Sequence, residues 1–155
     1  MPVVSPDLEF AARDYEPMPQ KVAGSPPTLH LIHPRLIPSV MVLRMQHLQQ
    51  TDDPAGSRAT AGMWEKLNRT DADSLYEAPC YRAVTAGVQA KTPGADATQL
   101  AKDDADRAVQ WLHQAVQAGY KDAAHMRNVA NLDPLRERDD FKELLAELEA
   151  KAVKK

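Results

Sequence analysis

The chain holds a single cysteine, Cys80, in 155 residues, so it cannot form an internal disulfide, and a reducing compartment is its expected setting. Aromatic side chains make up only 5% of it. With alanine abundant, that composition favours close helix packing over a sheet sandwich. No sign of charge dominates. The formal net charge is -3, basic and acidic residues are interspersed, and only Lys151, Lys154 and Lys155 form a small basic cluster. That balance gives no electrostatic footing for nucleic acid or for an anionic membrane. Long apolar runs are missing too. The most apolar stretch, residues 36–43, contains Pro38 and ends at Arg44, far short of the roughly 20 residues that span a bilayer. The opening Met1-Pro2-Val3-Val4-Ser5-Pro6 lacks a basic region followed by an apolar one, so no signal peptide is read there and a cytoplasmic location is expected.

What is present divides the chain in two. Eight of the twelve prolines precede residue 39: Pro2, Pro6, Pro17, Pro19, Pro26, Pro27, Pro34 and Pro38. Each fixes φ, removes a backbone donor and biases its predecessor away from helix. Residues 1–38 are therefore expected to be disordered or extended, with Leu29 to Ile32 able to dock as a short extended piece. Residues 39–155 form the second part, an all-α domain.

From residue 39 on, helix signals follow one another. Ser39 caps a helix carrying Met41, Met45 and Leu48 to about Gln50. Asp53-Pro54 opens a second, to about Asn68, with Ala59, Met63 and Leu67 along one side. Thr70-Asp71-Ala72-Asp73 resembles a capping box and opens a third, to about Ala90. Asp96 with Gln99 is expected to cap the strongest helix, 97–118, whose Ala101, Ala105, Ala108, Leu112 and Ala115 alternate four- and three-residue steps. Gly119 supplies a left-handed stop. Asp122 starts a short helix, Asp133-Pro134 repeats the cap-then-proline device, and a last helix from Asp139 carries Phe141, Leu144, Leu145 and Leu148. No stretch after residue 38 alternates in the manner of a strand.

The helix starts expected at Ser39 and Asp73 lie about 34 residues apart, the tetratricopeptide period. Particular phrases carry a further likeness. Met63-Trp64-Glu65-Lys66-Leu67 followed by Asp73-Ser74-Leu75-Tyr76-Glu77-Ala78-Pro79-Cys80-Tyr81-Arg82-Ala83 resembles the terminal tetratricopeptide units of large bacterial serine/threonine protein kinases. So does Ala108-Val109-Gln110-Trp111-Leu112 with Ala115-Val116-Gln117-Ala118-Gly119-Tyr120-Lys121-Asp122, and Leu132-Asp133-Pro134-Leu135-Arg136-Glu137-Arg138-Asp139-Asp140-Phe141 looks like that family's end-of-array cap. The likeness spans about residues 50–150. It implies an α-solenoid fragment of helical hairpins that binds a protein or peptide in a concave groove, with Asp73, Tyr76 and Cys80 approaching that groove. Two features depart from the family pattern. Pro79 stands where a small residue is usual, and a mid-helix proline costs about 3 kcal/mol. The kinase motifs themselves are absent: no Gly-rich loop, no Val-Ala-x-Lys, no His-Arg-Asp and no Asp-Phe-Gly. The expected function is a non-catalytic interaction module, the detached end of a larger kinase-associated repeat protein. The alternatives are a kinase gene product whose catalytic part lies elsewhere, and a marginal fragment with no partner.

Chemistry-bearing residues give little else. His30 and His33 are three apart without a third ligand, and His47, His113 and His125 are scattered, so no metal site is read. Cys80 has no histidine close in sequence and reads as a small buried hydrophobe. Ser25 and Ser57 follow glycines outside any nucleophile elbow. Asp103-Asp104 and Asp139-Asp140 point about 100° apart on a helix and read as caps and solvated faces. Trp64 and Trp111 read as core packing before partner anchors. No catalytic, cofactor-binding or metal-binding residue is expected.

Overall fold

The computed structural model describes residues 33–153, and among them there are helices and no strand. The expectations for residues 1–32, including the docking of Leu29 to Ile32 and the position of His30, lie outside the described residues. Six α-helices run in chain order: α1 Ile37–Gln50, α2 Pro54–Glu65, α3 Ala72–Lys91, α4 Ala95–Gln117, α5 Ala123–Asn128 and α6 Asp139–Val153. Two 3₁₀ segments, Pro34–Leu36 and Ala130–Leu135, precede α1 and bridge α5 to α6. No helix among the described residues is long and apolar enough to cross a membrane.

Helix begins before residue 39. His33 caps the 3₁₀ turn, its Nδ1 accepting from the Arg35 amide at 3.3 Å, and α1 is already under way at Ile37. Pro38 sits in the first turn, where a missing N–H costs no helical hydrogen bond. Elsewhere the caps fall close to where local chemistry places them. Asp53 accepts from the Gly56 amide at 2.9 Å, Asp71 from Ser74 at 2.8 Å and Asp122 from His125 at 2.8 Å. Four signals are misplaced. Ser39 lies inside α1, whose N-cap is Leu36 with no side-chain bond, and the capping box read on Thr70 falls one residue late, on Asp71. Helix α4 starts at Ala95 with Gly94 (φ 122°) as its N-cap, so Asp96 lies in the first turn and accepts no capping bond. Asp133-Pro134 lies inside the second 3₁₀ segment and opens no α-helix.

Helix α3 is the centre of the molecule, packed by α1, α2, α4 and the second 3₁₀ segment. Its sequence carries two apolar stripes, as a helix covered on several sides must. Tyr76, Cys80, Ala83 and Ala86 join one core with Ala108, Leu112, Ala115, Met126, Leu132, Leu135, Phe141 and Leu144. Ala78, Tyr81, Val84 and Val88 join a second with Met41, Met45, Ala61 and Trp64. Pro79 lies buried in the middle of α3, two turns from its start at Ala72, and deprives the Leu75 carbonyl of its helical partner.

Helix α2 buries a face other than the expected one. Gly56, Ser57, Thr60, Ala61 and Trp64 point inward while Ala59 is exposed and Met63 and Leu67 are half-buried. These small side chains let α1 and α2 come close; a Cβ on Gly56 would lie 2.6 Å from Leu48 Cδ2. The hydroxyls are satisfied locally, Ser57 Oγ donating to the Asp53 carbonyl at 2.8 Å and Thr60 Oγ1 to the Gly56 carbonyl at 2.7 Å.

The end of α4 shows how a local rule sets a long-range contact. Gly119 (φ 108°) reverses the chain; its amide bonds the Val116 carbonyl at 3.1 Å and the Tyr120 amide bonds that of Ala115 at 2.9 Å, the double closure of a Schellman turn. The turn carries Tyr120 back onto Tyr76, ring on ring at 4.0 Å and 4°. Replacing Gly119 by alanine is expected to destabilise the protein by about 1 kcal/mol through the left-handed backbone alone, because a Cβ there would meet nothing within 4 Å. Urea unfolding of the variant against the parent measures it.

Candidate functional site

The helix pairs α1–α2 and α3–α4 each pack back on themselves across short turns, and α1 and the second 3₁₀ segment both lie against α3. The first helices of the two pairs and the segment that follows α5 therefore share a face. A groove of about 220 Å³ opens there. Gln49 and Lys91 stand at one end, Asn131 and Asp133 on the far wall, and Val84 and Val88 in the floor. Gly87 keeps the wall close, since a Cβ on it would sit 3.0 Å from Pro134 Cγ. The wall residues are exposed and of both charges, over an apolar floor.

None of Asp73, Tyr76 and Cys80 lines this groove. Asp73 is exposed in the first turn of α3. Tyr76 and Cys80 are only 4% and 3% exposed, inside the core beneath α4, α5 and the second 3₁₀ segment. They cannot meet a partner without unpacking that core. The cause is tertiary: Tyr120, delivered by the Gly119 turn, and His125 of α5 cover the face on which Tyr76 stands. Burial pushes the Cys80 thiol and the Tyr76 phenol well above their ordinary ranges, and the Tyr120 phenol up to about 12. Cys80 is held as a neutral thiol, packed like a small hydrophobe and without the thiolate a nucleophile needs.

The most unusual chemistry lies where sequence spacing suggested solvated surface. Asp104 is 1% exposed. Its Oδ1 accepts from Arg82 Nη1 at 2.8 Å and pairs with Arg58 Nε at 3.3 Å, while Oδ2 is buried with no hydrogen-bond partner. Its neighbour Asp103 is exposed and accepts from Gln99 Nε2 at 2.8 Å. Arg82 reaches in the other direction to Glu65, Nε to Oε1 at 2.7 Å and Nη2 to Oε2 at 3.1 Å. Glu65 also takes Arg107 Nη2 at 2.6 Å and Trp111 Nε1 at 2.9 Å. Three arginines and two carboxylates thereby tie α2, α3 and α4 together. Burial pushes the Glu65 carboxyl up, but the hydrogen bonds and charges of Arg107 and Arg82 outweigh it and hold it at about 2. For Asp104 burial prevails over Arg58 and Arg82, and its carboxyl lies above the usual range.

The cluster holds helices together and offers no room for a substrate. Its carboxylates are spent on arginines and its one orphan oxygen faces protein. Trp64 is likewise structural, 3% exposed, donating to the Ser74 carbonyl at 3.0 Å and set edge-on against Tyr81. Ser57 is fully buried. Among the described residues no three of His, Cys, Asp and Glu gather as a metal ligand set. No family model, no curated protein and no solved structure matches the chain.

Proposed function

We propose that the chain is a non-catalytic protein-interaction module built of tetratricopeptide-like helical hairpins, and that it takes a short segment of a partner protein in the groove between α1, α3 and the second 3₁₀ segment. The observation that carries this reading is the shared face of successive first helices, with Val84 and Val88 beneath exposed Gln49, Lys91, Asn131 and Asp133. An extended peptide laid there would find apolar floor for alternate side chains and polar walls for its backbone. The resemblance of residues 50–150 to the end of a kinase-associated repeat array supports the same reading. The groove residues come from the spatial placement of α1 and the 3₁₀ segment, and replace Asp73, Tyr76 and Cys80 as the surface to test.

A displayed library of random 12-residue peptides, panned against the whole chain, should enrich binders whose affinity falls at least tenfold with Lys91→Glu and Asn131→Arg. The same binders should be indifferent to Lys102→Glu on the exposed side of α4. Failure to enrich any peptide over an unrelated helical protein, or binders insensitive to the groove substitutions, would remove the proposal. The sequence also lacks every kinase motif, so incubation with ATP and magnesium is expected to transfer no phosphoryl group to the chain or to a generic protein substrate.

A further inference from the structure

Leu36, Val42, Leu43 and Val153 are the large hydrophobic side chains exposed among the described residues, and all lie on α1, the turn before it, or α6. These helices are the two ends of the stack: α1 packs on α2 and α3, and α6 on α4 and α5. Terminal units of a helical stack ordinarily turn a polar face outward. Here each end keeps an apolar stripe. On α1 it is Leu36, Val40 and Leu43, the two leucines 56% and 66% exposed, on the side away from buried Met41 and Met45. On α6 it is Ala146, Ala150 and Val153, all exposed and opposite buried Phe141, Leu144 and Leu148. Both stripes step by four residues and then three, so both rise by roughly 10 Å. The first is built of large side chains and the second mostly of small ones, the pairing that lets one helix seat its ridge in the groove of another.

Their charges are opposite. Residues 33–51 hold Arg35 and Arg44 and no acid. The acids of the adjoining turn and of α2 are engaged: Asp52 pairs with Lys91, Asp53 caps α2, and Glu65 holds Arg82 and Arg107. Helix α6 carries five acids against Lys142 and Lys151. Arg138 and Arg127 hold Asp140 and Glu149, and Lys142 is paired with Glu137. Exposed Glu143 and Glu147 remain beside the alanine stripe, with Lys151 one turn beyond Glu147 as the only cation on that side among the described residues.

We propose that a second copy of the chain covers the α1 stripe with its α6, so that copies join head to tail. Two α1 faces would bring like charges together, and so would two α6 faces; only unlike ends match. The two helices run side by side in the same direction, Leu36 over Ala146 and Leu43 over Val153. That register sets Arg35 beside Glu143 and Glu147 of the neighbouring copy, with Lys151 further along. A head-to-tail contact of this kind does not close on itself, so assembly grows past the dimer as concentration rises. Neither end contains a residue of the groove described above, so each reading can fail alone.

Sedimentation of the whole chain tests this. Its weight-average mass should exceed that of a dimer by roughly 1 mM, the weak end of specific association, and the association constant should fall at least fivefold between about 0.05 and 0.5 M NaCl. A head variant, Leu43→Asp, and a tail variant, Glu143→Lys with Glu147→Lys, change only exposed positions and should keep the parent's melting temperature. Each alone should stay monomeric at the same concentration. Mixed in equal amounts, they should give a 1:1 dimer and nothing larger, because one retains its tail and the other its head. Adding Arg35→Glu to the tail variant should restore assembly of that chain by itself, a rescue that a general loss of solubility or of fold would not produce. A parent that stays monomeric, a tail variant that still dimerises through its heads, or a mixture that yields no dimer would each overturn the proposal.

Discussion

Replacing the buried Arg82 by methionine is expected to lower the unfolding free energy by about 3–5 kcal/mol. Methionine keeps much of the volume, so the loss is not a cavity effect. It arises because Arg82 is the one cation that serves both carboxylates, Asp104 at 2.8 Å and Glu65 at 2.7 Å, each of which is at most 8% exposed. With Arg82 gone, Glu65 retains Arg107 and Trp111, but Asp104 keeps only Arg58 at 3.3 Å, itself a third exposed. Asp104→Asn should cost much less, since an uncharged amide needs no counter-ion and its side chain can still accept from Arg82. Chemical denaturation of the two variants separates them; equal losses would show that the cluster is held by shape and not by charge.

The same cluster fixes a pH dependence, and its two carboxylates act in opposite senses. Glu65 is depressed to about 2 in the folded chain, from 4.5 for a free glutamate. Its contribution is therefore fully present above about 4.5 and is lost as the pH falls toward 2. Asp104 is raised. The fold binds that proton more tightly than the unfolded chain does, so its ionisation weakens the fold as pH rises and its protonation relieves part of the cost on acidification. Glu65→Gln should accordingly flatten the loss of stability between pH 4.5 and 2, while Asp104→Asn should remove the gain in stability that protonation of Asp104 brings on acidification toward 3.8. Midpoints of urea unfolding across both ranges provide the comparison.

Truncating Tyr76 to alanine is expected to cost about 3–5 kcal/mol, and changing it to phenylalanine is expected to cost nothing or to stabilise by about 1 kcal/mol. The pair separates two physical effects at one position. The ring is 4% exposed and stacks on Tyr120 at 4.0 Å, with His125 against it at 5.6 Å, so its removal opens a void at the junction of α3, α5 and the Gly119 turn. The hydroxyl is buried and makes no hydrogen bond of normal geometry, with the Tyr120 hydroxyl and the Cys80 thiol as its polar neighbours, so its desolvation is poorly compensated. Thermal unfolding of both variants tests this. A phenylalanine variant that loses more than about 1 kcal/mol would reveal a partner for the hydroxyl, and would take the stacked pair as a polar contact and not an apolar one.

Much of the local architecture could be read from the residues alone. Asp53 and Asp122 cap helices because a short carboxylate can reach an amide three residues on, and that reach does not depend on the rest of the chain; Asp71 caps α3 one residue after the Thr70 the sequence suggested. Gly119 stops α4 because only glycine takes φ 108° without strain. The apolar stripe of α4, Ala105, Ala108, Leu112 and Ala115, is buried as its spacing requires. The failures have one pattern. Asp104 stands seven residues after Ala97 and four before Ala108, on the margin of that stripe, and the position of an acid there was the available sign that it faces protein. An acid beside an apolar stripe is solvated or buried according to whether an arginine from another helix meets it, and Arg82 lies 22 residues away.

The sequence by itself determined that the described part of this chain is helical, the approximate place of most helix ends, and that no kinase motif is present, because capping, left-handed turns and motif spacing act within one or two turns of backbone. Only the tertiary structure decided which faces of those helices are covered. It turned Tyr76 and Cys80 into core, buried Asp104 between two arginines, turned Gly56 and Thr60 of α2 inward in place of Ala59, and brought Gln49, Lys91 and Asn131 to one groove. A helix with apolar residues on two sides has no local preference for which neighbour covers which side; that choice is made by the other helices, through packing and paired charge.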